Sequence, residues 1–206
     1  MKLFLLLEVS FVVTRASALF ENLRSDVVLT EVLEQKSRSR QNWHEESEAL
    51  LNEHIALEFS AGYQYHALFA YAHRDTVNLK KSANFFSESA EEEFGHAQKL
   101  MEYQIMRGGV VDLKKFAPPV HEFPATSDKS DALVAFESVL AMEKKVYDSL
   151  LAVRAACGKH DDPQCQDYLD GFLDHQIRAV DQAARYVADL VRVGPSGFAV
   201  WKWVMT

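Results

Sequence analysis

The chain has 206 residues, of which 48% are hydrophobic and 25% are charged, and its formal net charge is −8. This composition is typical of one globular domain with a single core that needs no disulfide scaffold. The acidic balance argues against nucleic acid or an anionic membrane as a partner and favours one that handles cations. With only 8 glycines and 5 prolines, the chain lacks the frequent turns of a β-sandwich, so long helices are expected.

The N-terminus has the parts of a secretory signal peptide. A basic start at Lys2 precedes the apolar run 3–13, and the tripeptide ASA at 16–18 offers a cleavage site. Residues 1–18 are therefore predicted to be a signal peptide of a protein that is secreted or held in the secretory lumen. A short helix kept by a cytoplasmic protein is the alternative. The run is too short to cross a bilayer, so no membrane insertion is expected. Residues 19–40 are predicted to form a polar N-terminal arm.

Periodic apolar residues predict four long helices after this arm. Asp162 before Pro163 is typical of a helix start, because the first helical position needs no N–H group. Gly194-Pro195 is a stop signal, and a short fifth helix is expected after it. The predicted helices span residues 43–73, 79–107, 130–157, 162–193 and 196–203. The third is predicted to face inward with Phe136, Leu140, Glu143, Tyr147 and Leu150.

The lengths of the connections indicate the topology. The first and third links are short, so each joins two helices into an antiparallel hairpin. The link 108–129 contains three prolines and is long enough to run the length of a bundle. The predicted fold is all-α, a four-helix bundle with one long crossover and a short fifth C-terminal helix.

Polar side chains interrupt the inward face of every long helix. Burying even one unpaired carboxylate costs several kcal/mol, so converging carboxylates require a compensating cation. One carboxylate alone is more simply explained by a misassigned helix face, but three on three helices, one of them in an E-x-x-H pair, favour a metal. An oxygen-rich site with one imidazole suits iron better than structural zinc. The residues are Glu58 and Tyr65, then Glu93 and His96, then Glu143, and finally Gln176.

Four stretches around these residues, at 41–65, 91–109, 141–151 and 173–179, resemble the ferritins, and the likeness extends over 41–203. The resemblance implies a ferritin-like di-iron domain over 41–206 that assembles into a hollow 24-subunit cage, made of this chain alone or of this chain and a second ferritin subunit type. It also implies a heavy-chain-like subunit, one that oxidises Fe(II) with O₂ and stores the ferric mineral. By resemblance, the first iron is held by Glu58, Glu93 and His96, the second by Glu93 and Glu143, with Tyr65 near the bridge and Gln176 positioning water or peroxide.

Resemblance also assigns metal roles outside the di-iron site. Glu92 is expected on the mineral side, but Gly95 and Gln98 stand where further carboxylates would be expected, so mineral nucleation is predicted to be weaker than oxidation. Asp167 and Asp170 match acids that line the iron channels of ferritins. The alternative is that both acids only complement the helix dipole.

Two residue types stay open at this stage. Cys157 and Cys165 could pair in an oxidising compartment or remain thiols in a reducing one. The other histidines of the mature chain show no pattern typical of ligands and are interpreted as surface or internally satisfied side chains. They are His44, His54, His66, His73, His121, His160 and His175.

Three functions follow as hypotheses. The first is iron storage and detoxification by a secreted ferritin subunit with ferroxidase activity. The second is a non-catalytic cage subunit that depends on a partner ferritin chain for oxidation. The third is a secreted helical signalling module without metal, which the buried carboxylates disfavour.

Overall fold

The computed structural model of the chain describes residues 37–204, with side chains up to Pro195. The predicted signal peptide 1–18 and most of the arm 19–40 lie outside the described residues. Within them the chain forms four long helices and no strand, which confirms the predicted four-helix class. In chain order the helices are α1 (Glu45–Ala72), α2 (Lys80–Met106), α3 (Asp131–Lys159) and α4 (Pro163–Val204).

Three of these helices begin with a side-chain N-cap. At the start of α1, the backbone N–H of Glu46 donates to the ring of His44. Ser130 accepts a hydrogen bond from the third residue of α3. The Asp162 carboxylate accepts the backbone N–H of Cys165 at 3.0 Å, and Pro163 takes the first position of α4 as predicted.

The first two helices form the predicted antiparallel hairpin. Trp43, just before α1, packs edge-on against Tyr103 near the end of α2, with ring centroids 5.8 Å apart. Further along, Tyr65 lies 6.3 Å from Phe86. Contacts therefore pair the beginning of α1 with the end of α2, as antiparallel helices require.

The last two helices form the second hairpin. The ring of Phe136, early in α3, lies 4.9 Å from that of Tyr186, late in α4. Near the short link, Cys157 and Cys165 form a disulfide with Cα atoms 5.8 Å apart. The disulfide settles the alternative that the sequence left open and joins the end of α3 to the start of α4.

The long crossover between the hairpins runs along α1, as its length predicted. Three polar side chains of α1 hold it by its backbone N–H and C=O groups, at distances of 2.8 to 3.0 Å. These hydrogen bonds give partners to backbone groups of an irregular segment that has no ladder of its own. The pairs are Asn52 with Val110 and Asp112, Gln64 with Val120, and Tyr71 with Phe123.

One inward face differs from the prediction. In α3, Phe136, Glu143 and Leu150 are buried as expected, but Leu140 and Tyr147 are only half-buried. The fully buried positions between the shared ones are Val139 and Val146. The helix is rotated slightly from the predicted phase, so that the smaller β-branched residues face the core.

Helical backbone continues to Val204, but it is broken at Gly194, whose φ of 63° and ψ of 177° are not helical. A glycine adopts this conformation without a steric penalty. The break coincides with the predicted stop, whereas a separate fifth helix stays a prediction, because the side chains from residue 196 onward lie outside the described ones. No helix within 37–204 is long and apolar enough to cross a membrane.

Candidate metal centre

Four polar residues, one from each helix, lie in the interior of the bundle. Glu58, Glu93, Glu143 and Gln176 are each at most 5% exposed. An apolar cluster that contains Phe86 and Phe136 and a second that contains Trp43 and Tyr103 make up the rest of the core. The inward faces inferred for these four residues, and for His96 and Tyr65, agree with their burial.

The first group of potential ligands is formed by α1 and α2. Glu93 Oε2 lies 3.2 Å from His96 Nδ1, and Glu58 Oε2 lies 3.9 Å from the same nitrogen. One ligand atom of each residue falls within 4.8 Å of the other two, close enough for one cation to contact all three. Two carboxylates and an imidazole are donors that iron accepts.

Glu143 supplies the opposite half of the centre. One of its oxygens accepts a hydrogen bond from the Tyr65 hydroxyl, and the other accepts one from the Gln176 amide. Glu93, Glu143 and Tyr65 all border a cavity of about 360 Å³. Glu93 therefore contacts the first group and also borders the space beside Glu143, and the resemblance to the ferritins implies a bridging carboxylate at this position.

Burial controls the protonation of these groups. It raises the pKa of Glu58 to about 7, although a hydrogen bond with Glu93 opposes the shift. Burial also raises the pKa of Glu93 and of Glu143, and it raises that of Tyr65 well above its usual range. The metal-free centre thus retains protons that a bound cation would displace.

This arrangement predicts how the stability of the metal-free protein varies with pH. Glu58 titrates near 4.5 when unfolded and near 7 when folded, so the folded state binds the extra proton between these values. Its stabilising contribution is present at pH 4.5 and is lost as the pH rises through 7, by about 3 kcal/mol. His54 acts in the opposite sense below pH 6.5, because burial lowers its pKa to about 4.

Comparison with Glu58→Gln separates the two effects. Guanidinium unfolding of chelated protein at fixed concentration should show the wild type losing about 2.5 kcal/mol relative to the variant between pH 5 and pH 8. A difference between the two proteins that does not change with pH would contradict the buried, protonated state of Glu58.

Two histidines that the sequence interpretation left without a role lie beside the centre. His54 Nε2 is 2.9 Å from Glu58 Oε1, and His175 Nε2 is 2.8 Å from Glu92 Oε1. The four-residue spacing of His54 and Glu58 on one helix was an available signal. The sequence offered no such signal for His175, because its partner Glu92 lies on a different helix.

Glu92 lies at the outer side of the cavity rather than among the buried ligands. It is exposed, and its potential ligand atoms group with those of His96 and His175 within 4.8 Å. The position of Gly95 is open, since a Cβ there would meet nothing within 4 Å. The mineral-side role of Glu92 stays a prediction.

Asp167 and Asp170 lie apart from the buried carboxylates, on the exposed surface of α4. Asp170 forms an ion pair with Arg154. The first turn of α4 begins at Pro163 and contains no acidic residue, so the dipole alternative is weak: the effect falls off within the first turn. The channel role of the two aspartates stays a prediction.

Comparisons with known proteins agree with this description. The Ferritin family model, described as a ferritin-like domain, matches residues 48–193. The chain is 44% identical to ferritin-2, chloroplastic, of Vigna unguiculata and 42% identical to ferritin-2, chloroplastic, of Zea mays, covering 88% of this chain and 72% of each relative. The crystal structure of ferritin from the green alga Ulva pertusa superposes with a TM-score of 0.78 at 39% identity, covering 90% of this chain and 96% of that one.

A four-helix bundle with one long crossover and inward carboxylates defines a protein of the ferritin-like class. Within that class the chain belongs to the ferritin family, whose members bind and store iron in cage-forming oligomers. Family membership sets aside the hypothesis of a metal-free signalling module.

The comparisons also correct the predicted location. The matched plant relatives are named as chloroplastic proteins, so the predicted secretion is wrong, and the cytoplasmic alternative has no support. Secretory signals and plastid transit peptides differ in composition, and residues 1–18 have the basic start, apolar run and small residues of the first kind, so the sequence pattern alone predicted secretion.

Proposed function

We propose that the chain is a ferroxidase-type, heavy-chain-like ferritin subunit. It oxidises Fe(II) to Fe(III) with O₂ at a di-iron site inside its own bundle, and the product is stored as ferric mineral. The observation that carries this proposal is the burial of Glu58, Glu93, His96 and Glu143 together in the bundle interior. Carboxylates that are buried without a compensating cation would only destabilise the fold.

The four ligands have different roles in binding the two iron ions. Glu58 and His96 bind one Fe(II), Glu143 binds a second, and Glu93 contacts both. Each Fe(II) gives one electron to O₂, so two ions side by side, with two protons taken from water, reduce one O₂ to hydrogen peroxide and become two Fe(III). Holding both ions in one geometry supplies the proximity that the reaction lacks in solution.

The fourth helix explains why iron is a substrate rather than a permanent cofactor. In related di-iron bundles a second E-x-x-H pair closes the site, but α4 has Gln176 and Ala179 at these positions. A neutral amide and a methyl group hold the second ion weakly. Gln176 also donates to Glu143, which keeps that carboxylate oriented while iron passes through.

Oxidation by the chain alone distinguishes the proposal from the non-catalytic alternative. Purified protein consisting only of this chain should oxidise Fe(II) far faster than buffer in stopped-flow measurements, and should consume O₂ in proportion. A rate equal to that of buffer, restored only by adding another ferritin chain, would establish a dependent cage subunit instead.

The assembly and the location extend the proposal. We infer that the chain assembles into a 24-subunit cage, which can also include a second ferritin subunit type. In this cage the segment after Gly194 forms the short fifth helix. The likeness to chloroplastic ferritins supports a plastid location. Analytical ultracentrifugation of the purified chain and imaging of a tagged full-length protein test these two inferences.

Iron access is proposed to use Asp167 and Asp170. A ring of exposed carboxylates raises the local Fe(II) concentration, and this effect falls with ionic strength. Because Arg154 neutralises part of the Asp170 charge, Asp167 should contribute more. Asp167→Asn should slow oxidation several-fold at low salt, with a deficit that shrinks as salt is added.

Stopped-flow oxidation at two salt concentrations measures this effect. Asp174→Asn, a change to another exposed aspartate on α4, is the matched control and should leave the rate unchanged. Equal rates for Asp167→Asn and the wild type at low salt would rule out the channel assignment.

A further inference from the structure

His54 is fully buried beside the candidate metal centre and has no role in the function described so far. It lies on α1, one helical turn before Glu58. Its two ring nitrogens face different partners. Nε2 is 2.9 Å from Glu58 Oε1, and Nδ1 is 3.0 Å from the Ser149 hydroxyl on α3.

These two contacts suit one placement of the ring hydrogen. A neutral imidazole has one donor and one acceptor nitrogen, so its two contacts can be served by one tautomer. If the Ser149 hydroxyl donates to Nδ1, the hydrogen resides on Nε2 and faces the Glu58 carboxylate. The opposite tautomer would set a lone pair against the ionised carboxylate that a bound cation requires.

The orientation of Glu58 shows what this contact can do. With Oε1 beside His54, the other oxygen, Oε2, lies 3.9 Å from His96. Both His54 Nε2 and Glu58 Oε2 are buried without an aligned hydrogen-bond partner. Two adjacent unsatisfied polar atoms are costly in a core, and a cation at Oε2 with a small rotation of the carboxylate would satisfy both.

We propose that His54, oriented by Ser149, is a positioning residue that holds Oε1 of Glu58 and thereby presents Oε2 to iron beside His96. The inference rests on the proposed function, because it assumes that a cation binds at Glu58, Glu93 and His96. Hydrogen bonds from outer groups to ligating residues typically change metal affinity by 10–100-fold. His54 is not itself counted among the ligands, since the grouped ligand atoms come from the other three residues.

The test uses Zn²⁺ binding to the full-length metal-free protein by calorimetry, and Co²⁺ absorption as a spectroscopic report of the same site. His54→Leu, which keeps the bulk and removes the donor, should weaken the first site at least about tenfold and change the Co²⁺ spectrum. His54→Gln restores an N–H donor and should recover affinity to within about threefold of the wild type. Thermal melting of the metal-free variants shows whether each one folds.

Ser149→Ala removes only the group that orients His54, so it tests the inference even where His54→Leu does not fold. It should weaken Zn²⁺ binding several-fold, whereas Ser138→Ala, on the same helix, should have no effect. Wild-type affinity in both His54→Leu and Ser149→Ala overturns the positioning role. Failure of the wild type to bind Zn²⁺ or Co²⁺ would instead refute the proposed function.

Discussion

The double variant Glu58→Ala/His96→Ala should lose rapid Fe(II) oxidation, by at least about 100-fold, because both substitutions remove direct ligands and exceed the 10–100-fold effect of outer-shell groups. The fold should persist. Neither side chain belongs to the apolar clusters, and at pH 8, above the pKa of Glu58, its removal takes away the cost of burying an ionised carboxylate. The melting temperature of metal-free protein should therefore stay constant or rise.

Initial rates from stopped-flow absorbance and melting curves of chelated protein measure the two halves of this prediction. The matched control is His66→Ala/Glu88→Ala, which changes one histidine and one glutamate exposed on the same two helices. The control should retain full activity. If the ligand variant oxidises Fe(II) as fast as the wild type, the catalytic assignment is wrong.

The inward placement of the polar residues could be predicted because it depends only on local geometry. Steps of three and four residues bring side chains to one face of a helix whatever the helix packs against. Glu58 and Tyr65 are a heptad apart, and Glu93 precedes His96 by three residues, so their burial followed from spacing. The crossover could also be predicted from the sequence, because only a segment of that length can run along a whole helix.

The phase of α3 was less certain because two registers share its main positions. Phe136, Glu143 and Leu150 are seven residues apart, and the buried position between each pair can come either three or four residues after the first. A spacing of three followed by four buries Val139 and Val146, and the structure adopts this spacing. The choice depends on the shapes of the neighbouring helices, which a single sequence does not specify.

The two histidines at the centre illustrate a different limit. His54 contacts Ser149 across 95 residues of sequence, and His175 contacts Glu92 on another helix. Such contacts depend on the rotation and height of one helix relative to another. Only the spacing of His54 and Glu58 on one helix was visible in advance, and without the fold it did not distinguish a partner from a coincidence.

Outside the metal centre, substitution of Arg107 is expected to lower the stability most, because its guanidinium contacts α2 and the segments that precede α1 and α4. It pairs with Asp162 at 2.6 Å, donates to Tyr103 and to the carbonyl of Asn42, and stacks over Trp43. Arg107→Met should lower the free energy of unfolding by about 3–5 kcal/mol, the usual cost of leaving a buried charge without its partner. Asp162 is only 2% exposed, so water cannot replace the arginine.

Guanidinium unfolding at fixed protein concentration measures the loss, since oligomer stability depends on concentration. Arg185→Met is the matched control. It breaks an exposed pair with Asp181 and should cost at most about 0.5 kcal/mol. Adding Asp162→Asn to Arg107→Met should recover part of the loss, because asparagine removes the unpaired charge and still caps α4. A loss below about 1 kcal/mol in Arg107→Met, or no recovery in the double variant, would show that the buried charge does not set the stability of this end of the bundle.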